Sequence, residues 1–137
     1  MRTILLAEDN ASDVFLVRQA LAEYRIESNL KVVVDGEAAL RYVRAMGKPG
    51  NDPCPDLMLL DINLPKADGI SVLAAFRQHP GCEETPVIMV SSSDSPKDRS
   101  KAAALGVDRY FRKPSQLDEF MKLGEVVRAV LDKNSTA

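Results

Sequence analysis

Acidic residues follow two apolar segments of the chain. Glu8 and Asp9 come directly after an apolar run at residues 4–7, and Asp61 comes directly after another at residues 57–60. If the two runs are neighbouring strands, the three carboxylates lie close together and repel one another unless a cation offsets their charge. Oxygen ligands of this kind suit a hard divalent cation such as Mg²⁺. The spacing therefore predicts a metal site that includes a carboxylate able to act as a nucleophile.

A hydroxyl and a positive charge follow two other segments. Ser91 ends one apolar run, and Lys113 stands before Pro114 at the end of a more polar segment. Taken singly, each of these is more often an ordinary surface residue. A transferred phosphoryl group, however, carries charge on three oxygens, and each oxygen requires a positive or hydrogen-bonding partner. Together with Asp61 and a metal, Ser91 and Lys113 therefore predict phosphoryl-transfer chemistry.

The elements that must position these residues alternate along the chain. The predicted strands are Thr3–Ala7, Asn29–Val34, Asp56–Leu60, Pro86–Val90 and Asp108–Phe111. The predicted helices are Ser12–Tyr24, Gly36–Met46, Asp68–Gln78, Pro96–Leu105 and Ser115–Asp132, with Gly106 closing the fourth and Ser115 capping the fifth. The first, third and fourth strands are apolar without alternation, which is typical of strands covered on both faces. The fifth is more polar and suits a sheet edge.

Five strands alternating with five helices predict an α/β fold. The expected architecture is a doubly wound, five-stranded parallel sheet with strand order 2-1-3-4-5. In such a sheet a reacting group lies beyond the carboxyl ends of strands 1 and 3, where the strand order reverses. This is the edge at which Glu8, Asp9 and Asp61 are expected to meet.

Composition and charge limit the other possibilities. The 137 residues fit a single domain spanning 1–137 with no effector domain attached. A formal net charge of −2 argues against a nucleic-acid-binding surface, and no apolar run is long enough for a membrane span. Cys54 and Cys82 are expected to be free thiols in a reducing cytosol. His79 is expected to be a solvated or capping residue near a helix end.

Two parts of the predicted surface are candidate contact regions. The Pro/Gly-rich segment between Arg44 and Pro55 is longer than most helix–strand links, and it is either a tolerated surface insertion or a partner contact. The apolar residues of the last helix span a wider arc than packing on a sheet needs. Leu123, Val126 and Val130 lie at one edge of that arc. We expect them to stay exposed and to face a partner, or a second copy, through the surface of helix 4, strand 5 and helix 5.

Several motifs resemble those of the receiver-domain family of two-component signalling, of the chemotaxis-regulator type. The matching segments are Glu8-Asp9, the D-x-x-L-P-x-x-D-G run from Asp61 to Gly69, the run from Pro86 to Ser91, and Tyr110-Phe111-Arg112-Lys113-Pro114. The resemblance covers about residues 3–132. It implies a flavodoxin-like receiver fold and a phosphorylation switch that is not a conventional enzyme.

The resemblance implies a role for each acidic residue of the cluster. Asp61 would be the phosphoacceptor, taking a phosphoryl group from a phosphohistidine on a partner histidine kinase. Asp9 would ligate Mg²⁺ directly, and Glu8 would do so directly or through a coordinated water. The main-chain carbonyl of Asn63 would complete the protein ligands.

The resemblance also implies roles around the phosphoryl group. Lys113 would pair with it, and its peptide bond to Pro114 would be cis, as is typical of the family. Ser91, in place of the commoner threonine, would turn its hydroxyl to the phosphoryl group. Tyr110 would change its burial as Ser91 moves, or is a plain edge-strand aromatic. Ser93 stands where fast-hydrolysing relatives carry an acid or an amide, so we expect slower self-dephosphorylation.

A narrower likeness concerns the kinase partner. The motif Asn63-Leu64-Pro65-Lys66, together with the long loop before the third strand, is similar to single-domain regulators paired with bacterial phytochromes. The implied kinase is then a bacterial phytochrome. With no effector domain expected, the output is a change in protein–protein contacts.

Three other functions are compatible with parts of the pattern. A flavin carrier of the flavodoxin type has the same strand order, but it needs a hydroxyl- and glycine-rich phosphate loop where this chain has Glu8-Asp9-Asn10. A phosphohydrolase with an aspartate nucleophile usually carries it on the first strand in a D-x-D pattern, which is missing here. An unphosphorylated adaptor would not need the complete set of acidic, hydroxyl and lysine residues.

Overall fold

The computed structural model describes residues 2–135. Within that range the strands are β1 (Arg2–Ala7), β2 (Ser28–Val33), β3 (Leu57–Leu60), β4 (Val87–Ser91) and β5 (Arg109–Arg112). The helices are α1 (Ala11–Glu23), α2 (Gly36–Ala45), α3 (Gly69–Gln78), α4 (Pro96–Ala104) and α5 (Leu117–Ser135). Each predicted strand and helix is present, and the observed ends differ from the predicted ones by a few residues at most.

The strands form one parallel sheet in the order β2-β1-β3-β4-β5. Ala7 of β1 is the register partner of Leu60 of β3, so these two strands end at the same level. The N–H of Asp61 donates to the carbonyl of Ala7 at 3.1 Å and carries the pairing one residue further. The predicted order and the predicted meeting of the two strand ends are confirmed.

Helices cover both faces of the sheet. One apolar core lies under α2, α3 and α4, and the other lies under α1 and α5. Along β1, Leu5 and Ala7 belong to the first core, whereas Ile4 and Leu6 belong to the second. This double coverage is the reason that residues 4–7, 57–60 and 87–90 of the central strands are all apolar.

Side-chain caps set the beginnings of four helices. The capping residues are Asn10, Asp35, Asp68 and Ser95. Gly106, with φ +77°, follows α4 in the left-handed conformation expected of a residue that closes a helix. The prediction that Ser115 caps the last helix is wrong, because α5 begins at Leu117 and the cap position directly before it is Gln116.

The predicted exposure of one face of α5 is also wrong. Leu123 is 0% and Val130 3% exposed, and Val126 is half-buried against the same core. The reason is that α5 packs along α1 as well as on the sheet, so it buries a wider arc than a helix on a sheet alone. In the part of the chain that the structure describes, no helix is long and apolar enough to cross a bilayer.

The two cysteines are not free thiols. Cys54 and Cys82 form a disulfide with a Cα–Cα distance of 5.8 Å. Cys54 lies just before β3 and Cys82 lies in the loop before β4, and these strands are neighbours in the sheet. Their preceding loops therefore meet at the amino edge of the sheet, which the linear spacing of 28 residues does not reveal.

The long loop between α2 and β3 is attached at a second point. The Tyr42 hydroxyl donates to the Asp52 carboxylate at 2.7 Å, and the N–H of Gly47 donates to the Asp52 carbonyl at 2.8 Å. Burial and the Asp52 carboxylate raise the pKa of Tyr42 above its ordinary value, so the phenol keeps the proton that it donates. The loop is thus held against α2 as well as against the loop before β4.

The half-buried guanidinium of Arg77 joins α3 to two neighbouring segments. It donates to the carbonyls of Leu105 at 2.8 Å, Thr85 at 2.5 Å and Gly106 at 2.9 Å. Leu105 and Gly106 end α4, and Thr85 precedes β4. With the Cys82 carbonyl at 3.3 Å, this one side chain donates to four main-chain acceptors.

Arg77→Met is expected to lower the free energy of unfolding by about 3 kcal/mol, because it removes charge-assisted hydrogen bonds and leaves carbonyls without donors. Urea unfolding followed by circular dichroism measures the change. Arg44→Met, at an exposed position of α2, is the matched control and is expected to fall within about 0.5 kcal/mol of the wild type. Equal effects of the two changes would contradict the role assigned to Arg77.

Candidate functional site

Three carboxylates meet at the carboxyl ends of β1 and β3. Oxygens of Glu8, Asp9 and Asp61 lie within 4.8 Å of one another. Glu8 is 1% and Asp61 5% exposed, whereas Asp9 is exposed to solvent. The arrangement predicted from the strand ends is confirmed, and its donor set of three carboxylates suits a hard divalent cation.

Main-chain hydrogen bonds orient two of these side chains. The N–H of Asn63 donates to Oδ1 of Asp61 at 3.1 Å, and the N–H of Asn10 donates to Oε2 of Glu8 at 3.2 Å. The N–H of Gly69 donates to the Ile62 carbonyl at 2.8 Å and closes the loop that follows Asp61. The loops after β1 and β3 thus fix where the two buried carboxylates point.

The Lys113 ammonium lies among three carboxylates. Its Nζ is 2.6 Å from Glu8 Oε1, 2.8 Å from Asp13 Oδ2 and 3.0 Å from Asp61 Oδ2. The N–H of Lys113 also donates to the Ser91 carbonyl at 2.8 Å, which ties the lysine to the end of β4. The prediction that Lys113 reaches across the strand ends to the acidic cluster is confirmed.

The peptide bond between Lys113 and Pro114 is not cis. Among residues 2–135 every peptide bond is trans, so the expectation taken from the family resemblance is wrong for this structure. The lysine is held instead by its main-chain bond to Ser91 and by its ion pairs with the carboxylates.

Burial and charge shift the proton affinities at this edge of the sheet. Burial raises the pKa of Glu8 to about 7, although the hydrogen bond and charge of Lys113 act in the opposite direction. Burial also disfavours the charged form of Lys113, but hydrogen bonds to Asp13, Glu8 and Asp61 outweigh it and raise the Lys113 pKa. One ammonium therefore stays charged among four carboxylates, counting Asp9, and the excess negative charge favours a cation.

Ser91 and Tyr110 lie next to this cluster on β4 and β5. Ser91 is 0% exposed, and its Oγ accepts from the N–H of Ser93 at 3.2 Å. The Tyr110 hydroxyl donates to the Ser93 carbonyl at 2.9 Å, and the Arg99 guanidinium lies 4.3 Å from the centre of its ring. Ser91 and Tyr110 therefore both hydrogen-bond the main chain of Ser93, which links the two side chains through one residue.

Two acidic residues at this edge were not singled out from the sequence. Asp13 lies in the first turn of α1. Its N–H donates to Oδ1 of the capping Asn10 at 3.1 Å, and its carboxylate pairs with the Lys113 ammonium. Asp98, in the first turn of α4, accepts from the Ser93 hydroxyl at 2.7 Å. Both are acids in a helical first turn, which usually reflects the helix dipole, so their position in the sequence alone does not distinguish them.

Comparisons with known proteins agree with this geometry. A family model described as Response regulator receiver domain matches residues 4–124. Response regulator Rcp1 of Synechocystis is 36% identical over 122 residues, which covers 89% of this chain and 83% of that protein. The similarity therefore extends over nearly the whole of both chains.

Solved structures give the same result. The phosphorylated cyanobacterial phytochrome response regulator RcpA has a TM-score of 0.85 at 34% identity and covers 99% of this chain and 96% of its own. The Mn²⁺-bound form of Rcp1 has a TM-score of 0.83 at 34% identity and covers 94% of this chain and 93% of its own. The bacteriophytochrome response regulator RtBRR has a TM-score of 0.75 at 34% identity, with 96% and 77% covered. The resemblance to phytochrome-linked regulators is confirmed.

Proposed function

Because the chain belongs to the response regulator receiver domain family, we propose that it accepts a phosphoryl group from a histidine kinase on Asp61 in a Mg²⁺-dependent reaction. One observation carries the proposal. Asp61 is a nearly buried carboxylate that lies beside Glu8 and Asp9 and is paired with the Lys113 ammonium at 3.0 Å. A nucleophile, a set of metal ligands and a cation are thus within one small volume, as phosphoryl transfer requires.

In the proposed reaction an Asp61 oxygen attacks the phosphorus of a phosphohistidine. The new O–P bond forms as the N–P bond breaks, and the bonding electron pair leaves with the imidazole, which takes up a proton. Lys113 and Ser91 then hydrogen-bond the phosphoryl oxygens. Because Lys113 is already paired with Asp61, it needs to shift only one of its donors.

Glu8, Asp9, Asp61 and the main-chain carbonyl of Asn63 would hold Mg²⁺. The bound ion would offset the carboxylate charge and the negative charge that develops on the transferred oxygens. The chain's own part is to keep Glu8 and Asp61 oriented by N–H groups while Asp9 faces solvent, from which the metal enters.

The same proposal assigns the switch to the segment after Ser91. Turning the Ser91 hydroxyl to the phosphoryl group removes the bond that it accepts from the Ser93 N–H. Tyr110, which donates to the Ser93 carbonyl, would follow. The change would then reach a downstream protein or a second copy of the chain on the α4–β5–α5 surface. In this proposal residues 1–137 act as one receiver domain that signals through its own surface.

The proposed kinase is a bacterial phytochrome, and the proposed location is the cytoplasm, where a kinase has ATP. The likeness to structures named as phytochrome response regulators supports this partner. Phosphotransfer profiling against a panel of histidine kinases tests it, and preference for an unrelated kinase would count against it.

Since Ser93 supplies neither an acid nor an amide, we also propose slow self-dephosphorylation. The loss of the phosphate adduct over time, followed by intact-mass spectrometry, measures its rate.

Incubation with Mg²⁺ and acetyl phosphate is expected to add one phosphate to the wild-type chain and none to Asp61→Asn, because an amide is a poor nucleophile. Intact-mass spectrometry measures the adduct. Asp118→Asn, a change of the same kind in the first turn of α5, is the control and should leave the adduct intact. An adduct that persists in Asp61→Asn would assign the phosphate to another residue. No adduct on the wild type would favour an adaptor, and rapid continuous phosphate release would favour a hydrolase.

Mg²⁺ affinity is expected to fall as the pH drops below about 7, the pKa of Glu8 in the metal-free site. Below that pH the metal must displace a proton from Glu8, so the apparent affinity falls by up to about tenfold per pH unit, whereas above it the affinity levels off. Isothermal titration calorimetry at several pH values measures the slope. Glu8→Gln should bind Mg²⁺ more weakly but with a flatter profile between pH 5.5 and pH 7. An unchanged slope in that variant would refute the assignment to Glu8.

A further inference from the structure

A second cluster of reactive side chains lies at the amino edge of the sheet, away from the carboxylates. Cys54 and Cys82 are joined there by the disulfide, and Nδ1 of His79 lies 3.8 Å from the Cys82 sulfur. The three side chains are close enough to share a metal ion. Metal ligation needs thiolates, however, and the S–S bond occupies both sulfurs. The bonded state therefore points to thiol chemistry at this cluster.

The two sulfurs differ in access. Cys82 is 0% exposed and belongs to the apolar core, whereas Cys54 is half-buried at the margin of that core. Gly81, which has no side chain, lies beside the Cys54 sulfur. An external thiolate can therefore approach the Cys54 sulfur, and Cys82 is then the sulfur that leaves.

His79 is placed to serve the leaving sulfur. Its Nε2 lies 3.0 Å from the Met46 carbonyl and its Nδ1 lies 3.0 Å from the Pro80 carbonyl. Because carbonyl oxygens only accept hydrogen bonds, each contact is satisfied when its ring nitrogen carries a proton. A proton on Nδ1 also lies beside the Cys82 sulfur, where a thiolate forms when the disulfide opens.

We propose that Cys54 and Cys82 form a reversible thiol–disulfide site, exchanged with small-molecule thiols through the Cys54 sulfur and assisted at the Cys82 sulfur by His79. A thiolate attacks Cys54, the Cys54–Cys82 bond breaks, and its electron pair goes to Cys82, which takes a proton from His79. A second thiolate attacks the small-molecule sulfur of the mixed disulfide and releases Cys54 as a thiolate. Cys54 and His79 then take up from solvent the two protons that the attacking thiols lost. In sum, a protein disulfide and two thiols become two protein thiols and one small-molecule disulfide, and oxidation is the reverse.

The bond controls how the loop between α2 and β3 is attached. Asp52 also anchors that loop through its bonds to Tyr42 and Gly47 and through an ion pair with Lys31 at 3.8 Å. Opening the disulfide leaves these contacts in place and frees the part of the loop near Cys54. The four residues of β3, about 13 Å of strand, separate this edge from Asp61. Loop attachment and phosphorylation can therefore be measured independently.

Equilibration of the native protein in mixtures of reduced and oxidised glutathione, followed by trapping with N-ethylmaleimide in denaturant and intact-mass spectrometry, tests the reversibility. We expect two populations, one with no maleimide and one with two, that interconvert completely as the ratio changes. If the Cys54–Cys82 disulfide stays closed in the native protein in excess reduced glutathione, it is a fixed structural link and the proposal is overturned. Cysteines that remain reduced in oxidised glutathione would overturn it as well.

Single-cysteine variants test the direction of attack. Cys82→Ala is expected to accumulate one glutathione on Cys54 in oxidised glutathione, whereas Cys54→Ala is expected to leave the buried Cys82 unmodified in the folded protein. Equal labelling of the two variants would contradict the proposed order. His79→Gln keeps an amide donor near the Met46 carbonyl. In this variant we expect glutathione to open the Cys54–Cys82 disulfide at least about tenfold more slowly than in the wild type. An unchanged rate would remove His79 from the proposal.

The two sites are separated by a last pair of measurements. Hydrogen exchange at residues 46–56 is expected to rise on reduction, because the covalent attachment of the loop is lost. The yield of the phosphate adduct from acetyl phosphate is expected to stay the same in the oxidised and reduced protein. Unchanged exchange in the loop would refute the effect on its attachment, whatever the result at Asp61.

Discussion

Lys113→Met is expected to slow phosphorylation of Asp61 by about 100-fold or more and, without metal, to lower the free energy of unfolding by about 3 kcal/mol. Methionine keeps an unbranched stem, so the packing changes little. The shared counter-charge of Glu8, Asp13 and Asp61 is lost, however, and two of these carboxylates lie in nearly buried positions. Urea unfolding and the rate of adduct formation from acetyl phosphate measure the two effects.

Added Mg²⁺ separates the two effects. The ammonium and the metal compete for oxygens of Glu8 and Asp61, so Lys113→Met is expected to bind Mg²⁺ more tightly than the wild type. Saturating Mg²⁺ should then recover most of the unfolding free energy but not the phosphorylation rate, which needs a positive group at the phosphoryl oxygens. Recovery of both would show that Lys113 is only structural. Lys122→Met, at an exposed ion pair on α5, is the control and should change neither quantity.

The competition between the Lys113 ammonium and Mg²⁺ also determines the charge of the unphosphorylated site. Without metal, Lys113 occupies the position between the buried carboxylates, and protonation of Glu8 relieves part of the remaining charge near neutral pH. Metal binding has to displace both the Lys113 ammonium and the Glu8 proton. We therefore expect the Mg²⁺ occupancy of the site to depend on pH as well as on Mg²⁺ concentration. Glu8→Gln tests the contribution of the carboxylate through the pH dependence of Mg²⁺ affinity, and Lys113→Met tests the contribution of the competing ammonium through the affinity itself.

Much of this site could be predicted because it depends on strand ends. Uninterrupted apolar runs predict buried parallel strands, and parallel strands place their carboxyl ends at one edge of a sheet. Residues that directly follow such runs, such as Glu8 and Asp61, can then be placed without knowing any loop, and Lys113 can be placed because it follows the more polar edge strand. The helix bounds were less sharp, and the cap proposed at Ser115 failed because the last helix begins two residues later.

The features that were missed depend on neighbours distant in sequence. Asp13 reaches Lys113, 100 residues away, because the cap of α1 directs its first turn toward the strand ends. Cys54 and Cys82 meet because two loops lie side by side. Val130 is buried in a core to which α1, α5 and the sheet all contribute. Periodicity reports how one element alternates between apolar and polar faces, and it carries no information about which second element covers a face.

Gly69→Ala is expected to lower the free energy of unfolding by about 2–3 kcal/mol and to weaken both Mg²⁺ binding and phosphorylation. A Cβ at Gly69 would lie 2.2 Å from the carbonyl oxygen of Asp61 and 2.8 Å from Cα of Ile62. Both contacts are with main chain, so no side-chain rotation relieves them. The loop from Asp61 to α3 must move, and it carries the Asn63 N–H that orients the Asp61 carboxylate.

This close approach gives the glycine of the D-x-x-L-P-x-x-D-G motif a physical reason: the helix that begins at Gly69 packs its first residue directly on the backbone of the nucleophile. Urea unfolding, calorimetry with Mg²⁺ and the acetyl phosphate reaction measure the three effects. Ser71→Ala, an exposed position in the same helical turn, is the matched control and should leave all three unchanged. A Gly69→Ala protein that loses stability but binds Mg²⁺ and reacts as the wild type does would show that the loop relaxes without moving Asp61, and that the contact serves folding alone.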